Sequence, residues 1–365
     1  MKKALTYLFL ILPASALAAG FYFLRGNLAV MDFAAERVSA PARAALGLAA
    51  GLLRRVSLYE IIGSLIVLFV AYFLIKTVIL LFIRGERLAT LTRRALALVI
   101  AAAYVGCAFL WLWCVNYYAT PFYSGSGIAD DAVTLDALRG AAFVFADGAN
   151  RYSDQVRRGE DGSFAEELDD ILTYSVWVYD GLERQFPRLA APSNRPKPML
   201  YSKLMSTFGY TGTYMALTGE ANLNTDAPRC LIPATAAHEL AHAHGVGAEQ
   251  EANFAGIAAC VTSKIPMFEY SGYLMGLIYL ADALYDADSD AYGALWDSFN
   301  DNVRRDLRDN AAYWEEMESD SPAVAAVTAM YDGYLKSNGQ ELGVQSYGAC
   351  VDLLVSWVEI TSAGV

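Results

Sequence analysis

Three long apolar runs dominate the first third of the chain, and the remainder alternates apolar and polar positions at helical spacing. The runs cover about 4–24, 61–83 and 95–117. Each holds about 20 residues, which at 1.5 Å rise matches a hydrocarbon core of about 30 Å. They predict three transmembrane helices in a membrane domain over residues 1–118. Lys2, Lys3 and the Ala16-Leu17-Ala18 triplet give the first run a second reading as a cleaved secretory signal. The apolar run continues through Phe21–Leu24 to Arg25, which favours a retained anchor. From 119 to 365 the spacing of three and four predicts helices near 130–150, 164–187, 234–244, 250–263, 271–286, 290–318, 322–337 and 345–360. Thr211–Asn224 breaks the pattern with Tyr, Thr and Gly and predicts a strand or hairpin. The fold class expected is mainly α: three transmembrane helices, then a mostly helical α+β domain with a small sheet.

Charge divides the chain at the same place. Residues 1–115 hold 12 Lys/Arg against 4 Asp/Glu, and the rest hold 15 against 35, for a net charge of -12. An acidic chain with charged residues at only 18% excludes a nucleic-acid binder, which needs a basic footprint, and suits contact with a lipid bilayer. Arg84, Arg87, Arg93 and Arg94 crowd the short loop between the second and third runs. By the positive-inside bias that loop is cytoplasmic, which puts residues 119–365 outside the cytoplasmic membrane. The Ala/Leu-rich stretch 41–56 reads as an interfacial amphipathic helix. Of the five Cys, Cys230, Cys260 and Cys350 would face an oxidising compartment, where one pair could form a disulfide.

All three histidines of the chain fall in Ala237-His238-Glu239-Leu240-Ala241-His242-Ala243-His244-Gly245. On a helix, His238 and His242 project from one face and can share a zinc ion. Glu239 beside them can move a proton between water and a leaving amine. This is the HExxH pattern of zinc hydrolases. A third ligand is required. Ala248 stands where a further histidine would be needed, and His244 points about 200° away from His242 while the helix lasts. The remaining choices are Glu249 and Glu251. Glu251 is favoured, because it opens an apolar helix able to fold back on the first, whereas Glu249 is expected in the turn.

The strings WCVNYYATPF (113–122), TGEANLNTD (218–226), HELAHAHGVGAEQEANF (238–254), YSGYLMGL (270–277) and YLKSNGQELGVQSYGACVDLL (334–354) resemble an uncharacterised bacterial family. Its members are multi-spanning membrane proteins with a gluzincin-type zinc-peptidase domain. The resemblance covers about residues 60–360. It implies His238, His242 and Glu251 as ligands of one Zn2+ per chain and Glu239 as general base and acid; it implies no substrate. Zincins commonly bind peptide as an added strand, which nominates Thr218–Asn224, with Glu220, Ala221 and Asn222 nearest the substrate; an ordinary hairpin capped by Gly219 is the alternative. A tyrosine is the natural donor to a developing oxyanion, Tyr347 first and Tyr273 second. The expected function is a membrane-anchored zinc metallopeptidase acting on peptide or protein in the cell envelope. The alternatives are a zinc-containing sensor or binding protein without turnover, and a zinc amidase acting on the cell wall.

Overall fold

The computed structural model describes residues 2–83, 87–129, 133–319, 321–343 and 350–363. Helices α1 (Lys2–Leu24), α2 (Leu28–Ala34), α3 (Ala40–Gly51), α4 (Leu58–Ile83) and α5 (Arg87–Leu112) form the N-terminal part, with a π turn at Ala35–Ser39 between α2 and α3. Two helices among the described residues, α4 and α5, are long and apolar enough to cross a membrane. No residue of the most apolar window of α4 is buried in the protein, unlike a core helix. The first of the three expected spans, 4–24, is not matched. The apolar part of α1, Phe9–Leu24, is shorter than the about 20 residues a hydrocarbon core requires. It lies along α5, where Tyr104 and Trp111 donate to the carbonyls of Leu10 and Leu17 at 2.9 and 3.0 Å. The last expected span ends early: α5 stops at Leu112, and Cys114–Tyr117 form a 3-10 turn.

The 41–56 stretch is helical as α3, yet it is wedged into the C-terminal part. Arg43, Gly47 and Ala50 are buried. A Cβ on Gly219 would stand 2.4 Å from the Gly47 nitrogen, so two glycines let the backbones touch.

The second part runs α6 (Leu135–Ser153), α7 (Leu168–Tyr174), β1 (Lys197–Pro198), α8 (Ser202–Thr207), β2 (Gly212–Met215), β3 (Glu220–Leu223), α9 (Ile232–Ala243), α10 (Glu249–Thr262), α11 (Pro266–Ala287), α12 (Ser289–Asp297), α13 (Asp301–Met317), α14 (Pro322–Ser337) and α15 (Cys350–Ala363). Its core is α9, α10 and α11 packed with α6 and α15, through side chains such as Phe145, Leu240, Phe254, Leu277 and Leu354. The expected helix at 164–187 gives way after α7 to short 3-10 turns, where Gly181 lies against the Thr262 carbonyl. The expected helix at 290–318 is two helices, because Asn300 accepts from the Val303 amide as an N-cap and starts α13 afresh.

The expected hairpin is present. β2 and β3 are antiparallel, with Thr213 opposite Asn222, and β1 joins the far side of β3 in parallel. The sheet order is therefore β1-β3-β2, with β3 in the centre. All five cysteines are buried free thiols, so the expected disulfide is absent.

Candidate metal centre

Pro233 opens α9 at a position where a missing amide proton costs nothing, and the Ser271 hydroxyl of α11 accepts from the Ala234 amide. Every residue of α9 from Ile232 to His242 is buried. The helix ends in a Schellman motif. Gly245, at φ 102°, bonds back to the His242 carbonyl and Val246 to that of Ala241, at 3.0 Å each. This turn brings the Val246 carbonyl 2.7 Å from His242 Nδ1. Nδ1–H donates there, fixing the tautomer that leaves Nε2 free as a ligand.

The same turn delivers the chain into α10, which begins at Glu249 and doubles back on α9. Contact is close because position 256 is glycine: a Cβ there would lie 2.8 Å from the His238 nitrogen. The Glu249 side chain then reaches both imidazoles, its Oε2 lying 3.4 Å from His238 Nε2 and 3.5 Å from His242 Nε2. The two rings stand at 89° with centroids 4.8 Å apart. Glu249 Oε1 accepts from the Tyr331 hydroxyl at 2.8 Å, while its buried Oε2 has no hydrogen-bond donor.

These three side chains could hold a metal ion. Ligand atoms about 2.05 Å from a tetrahedral ion are about 3.3 Å from one another, close to the separations found. A buried carboxylate oxygen without a donor, set between two imidazole nitrogens, has the chemistry of a cation site. Burial opposes charge on both partners, but attraction wins: Glu249 is held far below the usual carboxylate range. The neighbouring carboxylates of Glu249 and Glu239 lift His242 to about 9.

Glu249 therefore takes the place expected of Glu251. Helix α10 already begins at Glu249, ahead of the start at 250–251 that the sequence suggests, so Glu249 has a fixed helical backbone. Glu251, about 200° further round, faces the opposite side. There it is half-buried and lines a separate cavity of about 380 Å³ with Arg43, Arg188 and His244. His244 is no ligand. Its Nδ1 donates to the Leu189 carbonyl at 2.5 Å, its Nε2 meets the Ser193 hydroxyl at 2.8 Å, and burial drops its pKa to about 4.

Glu239 faces the sheet. A Cβ on Gly212 would stand 2.6 Å from its Oε1, so the glycine makes room for the carboxylate. Burial, against the pull of His238 and His242, pushes Glu239 up to about 7. His238, Glu239, His242 and Glu249 line one cleft of about 170 Å³ with β2 and with Phe109, Trp113, Tyr210, Tyr331 and Tyr334.

The strand residues expected to touch substrate lie elsewhere. β3 is the central strand: all of Glu220, Ala221 and Asn222 pair with β2, and Asn222 also pairs with β1. Glu220 instead binds Lys197 Nζ at 2.5 Å and accepts from the Leu58 and Tyr59 amides at 3.0 and 2.9 Å, capping α4. Asn222 Nδ2 is spent on the carbonyls of Thr213 and Glu220. The open edge is β2. The Thr211 carbonyl accepts from the Asn224 amide. By the two-residue period Thr213 and Met215 also face β3, and Gly212 and Tyr214 turn their backbone groups outward. Tyr347 lies outside the described residues, as does Arg84. Tyr273 packs between α6 and α11, stacked on Tyr152 and edge-on to Phe145, and is not in the cleft. The cleft tyrosines went unnoticed in the sequence because Tyr210 and Tyr331 arrive from segments with no motif of their own.

A protein family of unknown function, DUF3810, matches residues 43–355 of the chain. The chain belongs to the DUF3810 family. The match begins at Arg43, in α3, and ends at Val355, in α15, so the part shared with DUF3810 includes most of α3, all of α4 and α5, and the candidate metal ligands. No curated protein and no solved structure matches the chain.

Proposed function

We propose that the chain is a membrane-anchored zinc metallopeptidase of the cell envelope, with His238, His242 and Glu249 as zinc ligands and Glu239 as general base and acid. The observation that carries this reading is the placement of Glu239 between the three-ligand cluster and the open edge of β2. A zinc ion bound there supplies Lewis acidity to a substrate carbonyl. The chain's own residues do the rest. The outward backbone groups of Gly212 and Tyr214 pair with an extended peptide as an added strand. Glu239 takes a proton from the attacking water and passes it to the departing nitrogen, a task suited to a carboxylate tuned near neutrality. Tyr210, whose ring lies edge-on to Tyr331 in the cleft wall, is the candidate donor to the developing oxyanion. Two imidazoles and one carboxylate favour zinc over calcium or magnesium, which prefer all-oxygen shells. The basic residues Arg87, Arg93 and Arg94 at the opposite end of α5 favour a metal centre outside the cytoplasm.

Metal analysis of the purified full-length chain should find one zinc per chain. Glu239→Gln should keep that zinc while envelope proteolysis, read by mass spectrometry of N-termini, falls by about 10²–10⁴-fold. A Glu239→Gln profile identical to wild type would refute the peptidase reading and leave a binding or sensing role.

A further inference from the structure

Resting on the metallopeptidase reading, we infer that the substrate is a membrane-tethered polypeptide, cut within a few residues of the bilayer surface. The metal cluster is some 120 residues beyond α5 in sequence but adjacent to it in space. Trp113, the residue after α5 ends, packs edge-on against the His242 ring at 5.5 Å. Phe109, in the last turn of α5, lines the cleft itself. The two elements are also bolted together. Ser39 donates to the Leu112 carbonyl at the end of α5. Arg43 bonds Ser39, reaches Asn116 Oδ1 at 3.1 Å and donates to the Ala243 carbonyl at the end of the metal helix.

Helix length then sets the depth of the site. From Ala95, after the Arg93–Arg94 pair, to Leu112 the helix rises about 27 Å, against a hydrocarbon core of about 30 Å. Leu112 thus comes within about 3 Å of the outer boundary, and the ligands, packed against the residues that follow it, lie near headgroup depth. Residues that favour an interface stand at this level: Tyr22 in the last turn of α1, Arg25 just beyond it, Trp111 in the last turn of α5 and Tyr118 after it. A third segment meets the same level. The Leu200 and Tyr201 amides donate to Glu60 in the first turn of α4, at 2.9 and 2.8 Å, leaving the Leu200 side chain 82% exposed beside an apolar helix. A cleft with a wall of anchor-helix aromatics at this depth favours a chain arriving along the bilayer over one arriving from bulk water.

The test uses the full-length protein in phosphatidylcholine/phosphatidylglycerol vesicles. Three probes carry the same degenerate polar segment: directly after a Leu/Ala helix of about 20 residues, displaced from it by a Gly/Ser spacer with a mean reach of about 30 Å, and free in solution. Metal-dependent cleavage of the first should exceed that of the other two at least tenfold. Equal rates on all three would overturn the tethered-substrate inference while leaving the peptidase standing. No cleavage of any probe above the Glu239→Gln background would overturn both. A spin label at Leu200→Cys gives a readout independent of turnover. Its relaxation should respond more to oxygen than to an aqueous nickel complex, and the reverse order would place this face in water and refute the inference.

Discussion

At the scale of single residues, Glu249 and Glu251 test the metal centre most directly, since they stand on opposite sides of one helical turn. Glu249→Gln should weaken zinc binding by more than about 100-fold in competition with a chelator, because an amide is a poor replacement for a carboxylate ligand. Glu251→Gln should change it by less than about threefold. Tyr331→Phe removes the hydrogen bond that orients the Glu249 carboxylate and should cost about 10–100-fold. The reverse order of the two glutamates would move the ligand to Glu251. His238, Glu239 and His242 were legible in the sequence because the four-residue spacing places both imidazoles on one helix face wherever that helix packs. Glu249 was not, because its role depends on where α10 begins. Ala248 caps the helix without a side-chain hydrogen bond, so no sequence signal marks that start.

Among the elements, two contacts decide whether α9 and the sheet stay in register with their surroundings. Gly256→Ala would drive a methyl into the His238 backbone, and helix backbones cannot yield as a flexible side chain can. The variant should lose about 1–3 kcal/mol of stability in chemical denaturation and bind zinc more weakly, as α10 carries Glu249 away. Glu220→Ala leaves the buried Lys197 ammonium without its counter-charge, held only by the Ala50 carbonyl, and α4 without its cap, and should cost about 3–5 kcal/mol. A Glu220→Ala chain of normal stability but with a raised KM in the proposed proteolysis would return this residue to the substrate. The hairpin itself was legible from its Tyr, Thr and Gly content. The choice of β2 over β3 as the open edge was not, because β1, a two-residue strand around Lys197, is too short to carry a periodic signal.

For the whole molecule, the two charge-segregated parts seen in the sequence interlock through α2 and α3, which fall between the first two apolar runs. Asp32 of α2 accepts from the Thr120 amide and hydroxyl, both at 2.7 Å, and lies 3.6 Å from Arg188. Burial works to raise its pKa, but these partners outweigh it and hold the carboxyl below the ordinary value. A carboxyl depressed in the folded state adds stability above its unfolded pKa of about 3.9 and loses it as pH falls further. The protein should therefore unfold more readily below about pH 4. Asp32→Asn should flatten that part of the pH profile; an unchanged profile would show that Asp32 is not the group concerned. The proposed topology rests on the Arg-rich end of α5. A reporter fused after Val365 should be active outside the cytoplasm, and activity confined to the cytoplasm would reverse the orientation.

The unpaired cysteines give the molecule a built-in gauge of its own breathing. With every thiol buried and burial pushing those of Cys230, Cys260 and Cys350 upward, a maleimide can reach them only through transient openings. Cys260 on α10 and Cys350 on α15 thus report how often the layer behind the ligands parts, each at its own rate. No covalent bridge masks those events.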